Sequence, residues 1–327
     1  MLSVNQLAVK ICRRLMDSAD EFNVKHTRFK NGVHLIDTGN KVFGGTEAGL
    51  QVTEICLGGV GNVYVTFKDL DGLTLPAIEV STDFPLLSLL CQASGGYREA
   101  MEGWINFKCG SYSAIASGPA RAIVHEPTGL FDLLGYIDDA DVAVVVLQSE
   151  QYPDEKVAAR LLERCKVNPE NLYLVLSPIS SMSGLVQVTG RTVENAMVKL
   201  LSLSYDVKMV KHALGVAPLP PLGSRTIMPD DMLSYASIVH LYVELDEKTD
   251  LREMTRKMPS QTSKDYGKSF TELIYEHKGL RGIDINLFAP GQIYVNDLKS
   301  GELYRSGKVN SELVKKMMGF KSRPNIR

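Results

Sequence analysis

The sequence predicts a mixed α/β (α+β) fold arranged as two domains. Two observations support this prediction. A valine-rich strand over 141–148, a helical segment over 154–166 and a second apolar strand over 172–176 follow one another along the chain. This strand–helix–strand order is typical of a partly parallel sheet. The second observation is the length of 327 residues, which is more typical of two domains than of one.

The first part of the chain is predicted to contain helices separated by short strands. A helix is expected over 4–19, because Ser3 can cap it and its apolar residues form one stripe. That stripe consists of Val4, Leu7, Ala8, Ile11 and Leu15. Short strands are expected over 33–37 and 62–67, and a helix over 47–56 begins just after a pair of glycines.

The later part is predicted to contain a long helix over 184–203 and a strand over 238–245. Two short strands, 292–295 and 302–304, flank Lys299-Ser300-Gly301 and form a predicted hairpin. The strand–helix–strand order in the middle of the chain is the clearest α/β signal in the sequence.

A proline-rich segment over 217–224 cannot form a regular helix. It can separate two domains or line a cleft between them. We therefore expect two intertwined α/β domains, the first at approximately 1–215 with most of the motifs and the second at 225–320. An exchange of N-terminal segments between the domains remains an open alternative.

Charge and composition narrow the classes of function. The net charge of −2 lacks the basic excess that is typical of nucleic-acid-binding proteins. The longest strongly apolar run, 142–147, is far shorter than a membrane helix of roughly 20 residues. With no signal-peptide pattern at the N-terminus, we expect a cytoplasmic protein with no nucleic-acid or membrane partner. Five cysteines and six histidines lack the paired spacing of metal ligands, so no metal site is expected.

The motifs of common nucleotide and nucleophile chemistry do not occur in the sequence. The segment 57–62, Leu-Gly-Gly-Val-Gly-Asn, lacks the third glycine of a dinucleotide-binding turn and precedes a strand rather than a helix. It is therefore predicted to be a simple turn. Neither a Gly-x-Ser-x-Gly elbow nor a Walker-type phosphate loop is present.

Several segments carry groups that could face a ligand. In the stretch from Ser117 to Arg121, backbone N–H groups at a helix start and a guanidinium can bind an anion. The pattern alone favours a tight turn with a surface arginine over such a site. Gly44-Gly45-Thr46-Glu47 combines close backbone approach with a first-turn carboxylate. Asp83 can cap a helix or contact a ligand. The polar segment 262–268 fits a site or a solvated loop.

Arg191 and Glu194 share one face of a predicted helix at positions i and i+3. By itself this spacing is most typical of a surface ion pair that contributes roughly a few tenths of a kcal/mol. The pair becomes a candidate for a functional site because the segments upstream of it also combine small-residue turns with charged side chains.

Taken together, these motifs resemble those of the methenyltetrahydromethanopterin cyclohydrolase family. The likeness extends from Ser3 to about residue 307, and although each motif is weak alone, their shared order is specific. The motifs are Gly-Gly-x-Glu-Ala-Gly at 44–49, Ser-Gly-Pro-Ala-Arg-Ala at 117–122, Gly135-Tyr136-x-Asp138-Asp139, Pro169-Glu170-Asn171-Leu172-Tyr173, Arg191-x-x-Glu194 and Thr262-Ser263-Lys264-Asp265-Tyr266-Gly267.

The resemblance implies two α/β domains packed face to face, with the pterin substrate in a cleft between them, and a homotrimer that needs no metal or nucleotide cofactor. It also implies the reversible hydrolysis of N5,N10-methenyl-tetrahydromethanopterin to the N5-formyl compound. Glu194 would take the proton of the attacking water, and Arg191 would hold Glu194 in place. Substrate contacts are implied at Gly44, Gly45, Glu47, Asp83, Ser117, Gly118, Pro119, Arg121, Lys264, Asp265 and Tyr266.

Two alternatives stay open at the level of sequence. Ala116 and Phe84 depart from the residues usual in the family, which is compatible with a catalytically diverged pterin- or anion-binding paralogue. A formyl- or acyl-transfer enzyme on the same scaffold would need a second substrate site, which the sequence does not indicate. The presence of Glu194 favours the hydrolase.

Overall fold

The computed structural model describes residues 2–92, 106–246 and 249–320. In these ranges the chain forms twelve β-strands and twelve α-helices. The strands are β1 (Lys25–Arg28), β2 (His34–Asp37), β3 (Gly61–Asp69), β4 (Thr74–Thr82), β5 (Asn106–Cys109), β6 (Tyr112–Ser117), β7 (Ala143–Gln148), β8 (Leu172–Leu176), β9 (Val210–Pro218), β10 (Ile238–Val243), β11 (Gln292–Asp297) and β12 (Leu303–Gly307). The helices are α1 (Val4–Asp17), α2 (Thr46–Cys56), α3 (Pro85–Cys91), α4 (Arg121–Val124), α5 (Thr128–Leu134), α6 (Glu155–Cys165), α7 (Met182–Thr189), α8 (Thr192–Ser202), α9 (Pro229–Ala236), α10 (Leu251–Lys257), α11 (Phe270–His277) and α12 (Ser311–Met317).

The strands form two six-stranded mixed sheets, which confirms the predicted α/β fold. Sheet 1 has the order β1-β2-β8-β7-β6-β5, with β2, β8 and β7 parallel. Sheet 2 has the order β12-β11-β10-β9-β4-β3, with only β10 and β11 parallel. Sheet 2 thus combines two strands from the first quarter of the chain with four strands that follow residue 209. The domain limits proposed above stay a prediction.

Sheet 1 is covered by helices on both faces. Successive side chains of a strand point to opposite sides, so a strand buried on both faces reads as a continuous apolar run. In β7, Val144 and Val146 join the core formed with α1 and α2. Val145 and Leu147 join the core on the opposite face, which includes α6. This double burial explains the valine-rich stretch that predicted the strand.

Sheet 2 packs its inner face against α3, α8 and α10. Met197 and Leu200 of α8 belong to the same core as Leu241 of β10 and Val295 of β11. A separate apolar cluster joins α9, α11 and α12. In the part of the chain that the structure describes, no helix is both long enough and apolar enough to cross a membrane.

The local signals read from the sequence are largely confirmed. The Oγ atom of Ser3 accepts a hydrogen bond from the backbone N of Gln6 at 3.1 Å and caps α1 as predicted. The segment 57–62 contains a turn after α2 and enters β3 at Gly61, and the strands on either side of Lys299-Ser300-Gly301 pair as an antiparallel hairpin.

The prediction of one long helix over 184–203 is wrong, because the segment is divided into α7 and α8 at Gly190 and Arg191. Gly190 lies against the side chain of Thr53 in α2, so closely that a β-carbon at this position would collide with it. The chain therefore ends one helix against α2 and begins another against sheet 2. Arg191 becomes the N-cap residue of α8, and Glu194 lies in its first turn.

Candidate active site

A cavity of about 610 Å³ lies where sheet 1 faces the junction of α7 and α8. Its walls come from β5 and β6 on one side and from α9 and the end of α11 on the other. The α7–α8 junction contributes Val188, Arg191, Glu194 and Asn195 to the lining. The break between these two helices is therefore what brings a charged pair to the cavity wall.

Arg191 and Glu194 form a buried ion pair rather than the surface pair that is typical of this spacing. The Nε atom of Arg191 lies 3.8 Å from Oε2 of Glu194, and the residues are 9% and 2% exposed. A carboxylate in the first turn of a helix is favoured by the helix dipole. Within the described residues, Nε and Nη2 of Arg191 have no hydrogen-bond partner. Buried polar groups normally have one, so these donors are available to a ligand in the cavity.

Arg121 is completely buried and does not line the cavity. Its Nε atom donates to the carbonyl oxygen of Glu126 at 3.1 Å, whereas Nη1 and Nη2 have no hydrogen-bond partner among the described residues. Burial lowers the pKa of Arg121 to about 10, and the negative charge of Glu194 opposes this shift more than any other group does. Arg121 therefore acts on Glu194 through its charge, from within the protein.

The segment around Ser117 packs between neighbouring elements. The Oγ atom of Ser117 lies 3.6 Å from Sγ of Cys56, which is itself 3.8 Å from Oε1 of Gln187. The backbone N of Gly118 donates to the carbonyl oxygen of Cys91 at 2.7 Å. The carbonyl oxygen of Pro119 accepts from Nδ2 of Asn5 at 2.9 Å.

The segments 44–49, 117–122 and 184–194 do not contribute equally to the cavity. Residues 117–122 approach α7 through Cys56, and residues 44–49 begin the helix that packs against α7. Of the three segments, only 184–194 supplies residues that line the cavity.

The first glycine motif supports a turn and a helix start. Gly44 has a φ of +67°, and a β-carbon there would collide with the carbonyl oxygen of Thr38, so both conformation and space require glycine. Gly45 is the N-cap residue of α2, and Glu47 is exposed in its first turn. These residues do not line the cavity, and their contact with a substrate stays a prediction.

Asp83 and the 262–267 motif also lie outside the cavity lining. The exposed carboxylate of Asp83 pairs with Nδ1 of His212 at 2.8 Å. Lys264 is exposed, and its backbone N donates to Oδ2 of Asp284 at 3.0 Å.

The neighbours of Lys264 in this motif have structural partners. Oδ2 of Asp265 accepts from the backbone N of Asp284 at 2.7 Å, and the hydroxyl of Tyr266 accepts from Nδ2 of Asn310 at 3.0 Å. These contacts stabilise the loop, and a role in substrate binding stays a prediction for all three residues.

The sequence analysis missed Asp230, which is the second residue of α9 and lines the cavity together with Arg191 and Glu194. Burial raises the pKa of Asp230, the charge of Arg191 lowers it, and the charge of Glu194 raises it further. The signal in the sequence was the pair Asp230-Asp231 at a helix start. One carboxylate is enough to cap a helix, which leaves the other for a different role.

Basic side chains of the cavity lining were also missed. They are Lys108 of β5 and His277, Lys278 and Arg281 at the end of α11 and beyond it. Among residues 2–92, 106–246 and 249–320, no three His, Cys, Asp or Glu side chains are grouped so that they could hold a metal ion.

Comparisons with known proteins identify the family of this chain. A family model described as cyclohydrolase (MCH) matches residues 3–318. The methenyltetrahydromethanopterin cyclohydrolase of Methanocaldococcus jannaschii is 38% identical over 328 residues, which covers 98% of this chain and 99% of that protein. The enzymes of the same name from Methanothermobacter marburgensis and Methanospirillum hungatei are 36% and 37% identical, each over 98% of this chain and 100% of their own length. The chain therefore belongs to the methenyltetrahydromethanopterin cyclohydrolase family.

Proposed function

We propose that this protein reversibly hydrolyses N5,N10-methenyl-tetrahydromethanopterin to N5-formyl-tetrahydromethanopterin. The observation that carries the proposal is the buried pair of Arg191 and Glu194 on the wall of the cavity. Burying two charges is unfavourable unless their geometry and partners compensate for the lost hydration. A buried pair that faces a cavity is therefore more typical of a functional site than of a stabilising surface contact.

The chemistry of the substrate matches this pair. The substrate contains a cationic N–CH=N group whose carbon is already electrophilic, so hydrolysis needs a water molecule and a base that accepts its proton. Glu194 can act as that base, and its negative charge also favours binding of the cation. Arg191 cannot be the base because a guanidinium stays protonated, but it can hold the carboxylate in one orientation.

The reaction then proceeds through a neutral carbinolamine. Attack by water forms the C–O bond and transfers one proton to Glu194. Cleavage of the bond between carbon and N10 returns the electron pair to N10, which takes up a proton, and the hydroxyl group loses its proton as the C=O bond of the formyl group on N5 forms. Protonated Glu194 can supply the proton to N10. Both directions use the same groups, because a base in the forward reaction is an acid in the reverse reaction.

The proposed reaction requires no metal or nucleotide cofactor. This part of the proposal rests on the resemblance of the motifs to those of the family. Purified protein that has been treated with a chelator should retain its activity. A loss of activity that added zinc restores would contradict this part, without affecting the assignment of the substrate.

An assay with the pterin substrate tests the proposal directly. The methenyl group absorbs light, so its hydrolysis can be followed as a loss of absorbance that depends on protein concentration. The competing function is a paralogue that binds a pterin without catalysis. Binding in a titration without turnover in either direction would contradict the enzyme and favour the paralogue.

We also propose that the protein is a cytoplasmic homotrimer. Edge strand β3 exposes Tyr64, Val65 and Phe67 by 57%, 42% and 71%, and natural proteins usually protect such an edge by contact or by charge. The five cysteines lie within the described residues and are all unpaired, which fits a reducing compartment. Light scattering of the purified protein and fractionation of the host cells would test assembly and location.

A further inference from the structure

Two carboxylates of the cavity belong to different helices. Glu194 comes from the first turn of α8, and Asp230 comes from the first turn of α9. Both line the same cavity and both are within electrostatic reach of Arg191. A substrate in the cavity would therefore meet two carboxyl groups supplied by separate elements.

The neighbouring Asp231 shows that Asp230 is not needed to cap α9. Oδ2 of Asp231 accepts from the backbone N of Met228 at 2.8 Å, and Oδ1 accepts from the backbone N of Phe270 at 2.8 Å. Asp231 is completely buried by these contacts, whereas Asp230 is partly exposed at the cavity wall. The two adjacent carboxyl groups thus have separate roles, one in capping and one at the cavity.

The surroundings of Asp230 contain both signs of charge. Facing the cavity are Arg191 and Glu194 from α8, Lys108 from β5, and His277, Lys278 and Arg281 from the end of α11 onward. Desolvation and the charge of Glu194 raise the pKa of Asp230, while Arg191 lowers it. A carboxyl group whose pKa is raised can carry a proton closer to neutral pH than an ordinary aspartate does.

The proposed reaction needs three proton transfers: from the attacking water, to N10 and from the hydroxyl group. Water loses a proton when the C–O bond forms, and N10 gains a proton when the C–N bond breaks and its electron pair returns to nitrogen. The hydroxyl group loses its proton to solvent as the C=O bond forms. After the first step Glu194 holds the proton of the attacking water and can pass it to N10. A second acid at the cavity wall would supply N10 directly.

We propose that Asp230 is this acid and donates its proton to N10 while Glu194 serves the attacking water. Asp230 then recovers a proton from solvent, and Glu194 releases its own, so that each turnover releases one proton in total. In the reverse reaction Asp230 removes the proton from N10. This inference rests on the proposed function and adds a second catalytic residue to it.

Four forms of the full-length protein test the inference: the parental chain, Asp230→Asn, Asp230→Glu and Asp17→Asn. Asp17 is exposed at the end of α1 and does not line the cavity, so its variant controls for the loss of one aspartate. Rates of hydrolysis and of cyclisation are measured over a range of pH, together with the denaturation midpoint of each form. Asp230→Asn should lower kcat by a factor of ~10²–10³ with little change in KM.

The pH profile separates a proton donor from a structural residue. In the parental chain the hydrolysis rate should fall as pH rises and Asp230 loses its proton, and Asp230→Asn should remove this dependence. Asp230→Glu should restore part of the rate and move the fall to a different pH. The control Asp17→Asn should keep the parental rate and profile.

The remaining outcomes of the experiment either support or overturn the inference. An Asp230→Asn variant that keeps more than about half of the parental kcat, or that keeps the parental pH dependence, overturns the inference. A change in KM alone would also overturn it, because Asp230 would then bind the substrate without transferring a proton. If Asp230→Asn fails to fold, an unshifted profile in Asp230→Glu overturns the inference and a shifted one supports it. An inactive parental chain would instead contradict the proposed function.

Discussion

The Nε atom of Arg191 lies 3.8 Å from Oε2 of Glu194, and both side chains are buried where α8 begins. The same i to i+3 spacing joins Arg160 to Glu163 in α6, but those side chains are 54% and 68% exposed. An exposed pair contributes roughly 0–1 kcal/mol, whereas a buried pair must offset the loss of hydration of both charges. The chain therefore contains a surface pair that serves as a matched control for the pair at the cavity.

Replacement of Glu194 by Gln should abolish most of the turnover. The amide keeps the shape of the side chain but cannot accept a proton from water, so kcat should fall by a factor of ~10²–10⁴ while the substrate still binds. Steady-state kinetics of Glu194→Gln and of the control Glu163→Gln measure the effect. Retention of more than about half of the parental kcat would mean that another group is the base.

Replacement of Arg191 by Ala should also reduce turnover, because the carboxylate loses the cation that orients it. Misplacement of a catalytic group by about 1 Å can lower a rate by roughly 10²-fold. Arg191→Lys keeps the charge without the planar fork and should give an intermediate rate. Arg160→Ala is the matched control. Equal rates for Arg191→Ala and Arg160→Ala would show that the buried pair is only structural.

Replacement of Arg121 by Met should lower activity without a matching loss of stability. Burial lowers the pKa of Arg121 from 12.5 to about 10. Below about pH 10 the charged guanidinium is therefore less stable in the folded state than in the unfolded state, and it lowers the stability of the fold. The shift corresponds to about 3 kcal/mol, and an apolar side chain of similar size removes this cost. Glu194 would lose a nearby positive charge, which should reduce kcat about tenfold.

The measurements for Arg121→Met are urea denaturation and steady-state kinetics on the same preparation. Near-parental stability with a reduced kcat would support an electrostatic effect on Glu194. A large loss of stability with a normal kcat for the folded fraction would assign Arg121 to packing alone.

The protein should lose stability in acid through His34. Nη2 of Arg28 lies 3.0 Å from Nε2 of His34, and because a guanidinium only donates, that nitrogen must accept and the ring must be neutral. Burial and the charge of Arg28 lower the pKa of His34 from 6.5 to about 4. As pH falls, His34 therefore becomes protonated at a higher pH in the unfolded chain than in the folded chain. Up to about 3 kcal/mol of stability is lost as pH falls from about 6.5 to 4.

Denaturation midpoints at several pH values check this prediction in the parental chain and in His34→Asn. The decrease in midpoint over this pH interval should be smaller in His34→Asn than in the parent. His212→Gln replaces an exposed histidine and serves as the control. An identical acid dependence in the parent and His34→Asn would assign the loss of stability to other groups.

Some features could be predicted from the sequence because they depend on neighbours along the chain. The valines of β7 indicated a strand buried on both faces, and Ser3 indicated the start of α1 through a single hydrogen bond. The order of the motifs indicated the family, which the matches over nearly the whole chain confirm. These signals are local, or they are sequence patterns that do not require knowledge of distant contacts.

Tertiary packing determined the features that the sequence left open. The sequence by itself determined that Arg191 and Glu194 stand three positions apart and that the chain alternates strands and helices. Only the tertiary structure shows that the predicted helix breaks at Gly190, where the chain packs against Thr53, and that the pair lies at a cavity. Only the packing of α9 brought Asp230, which is 36 positions beyond Glu194, to the same wall. Burial and long-range proximity set the electrostatics of such groups, and neither is encoded in the spacing of nearby residues.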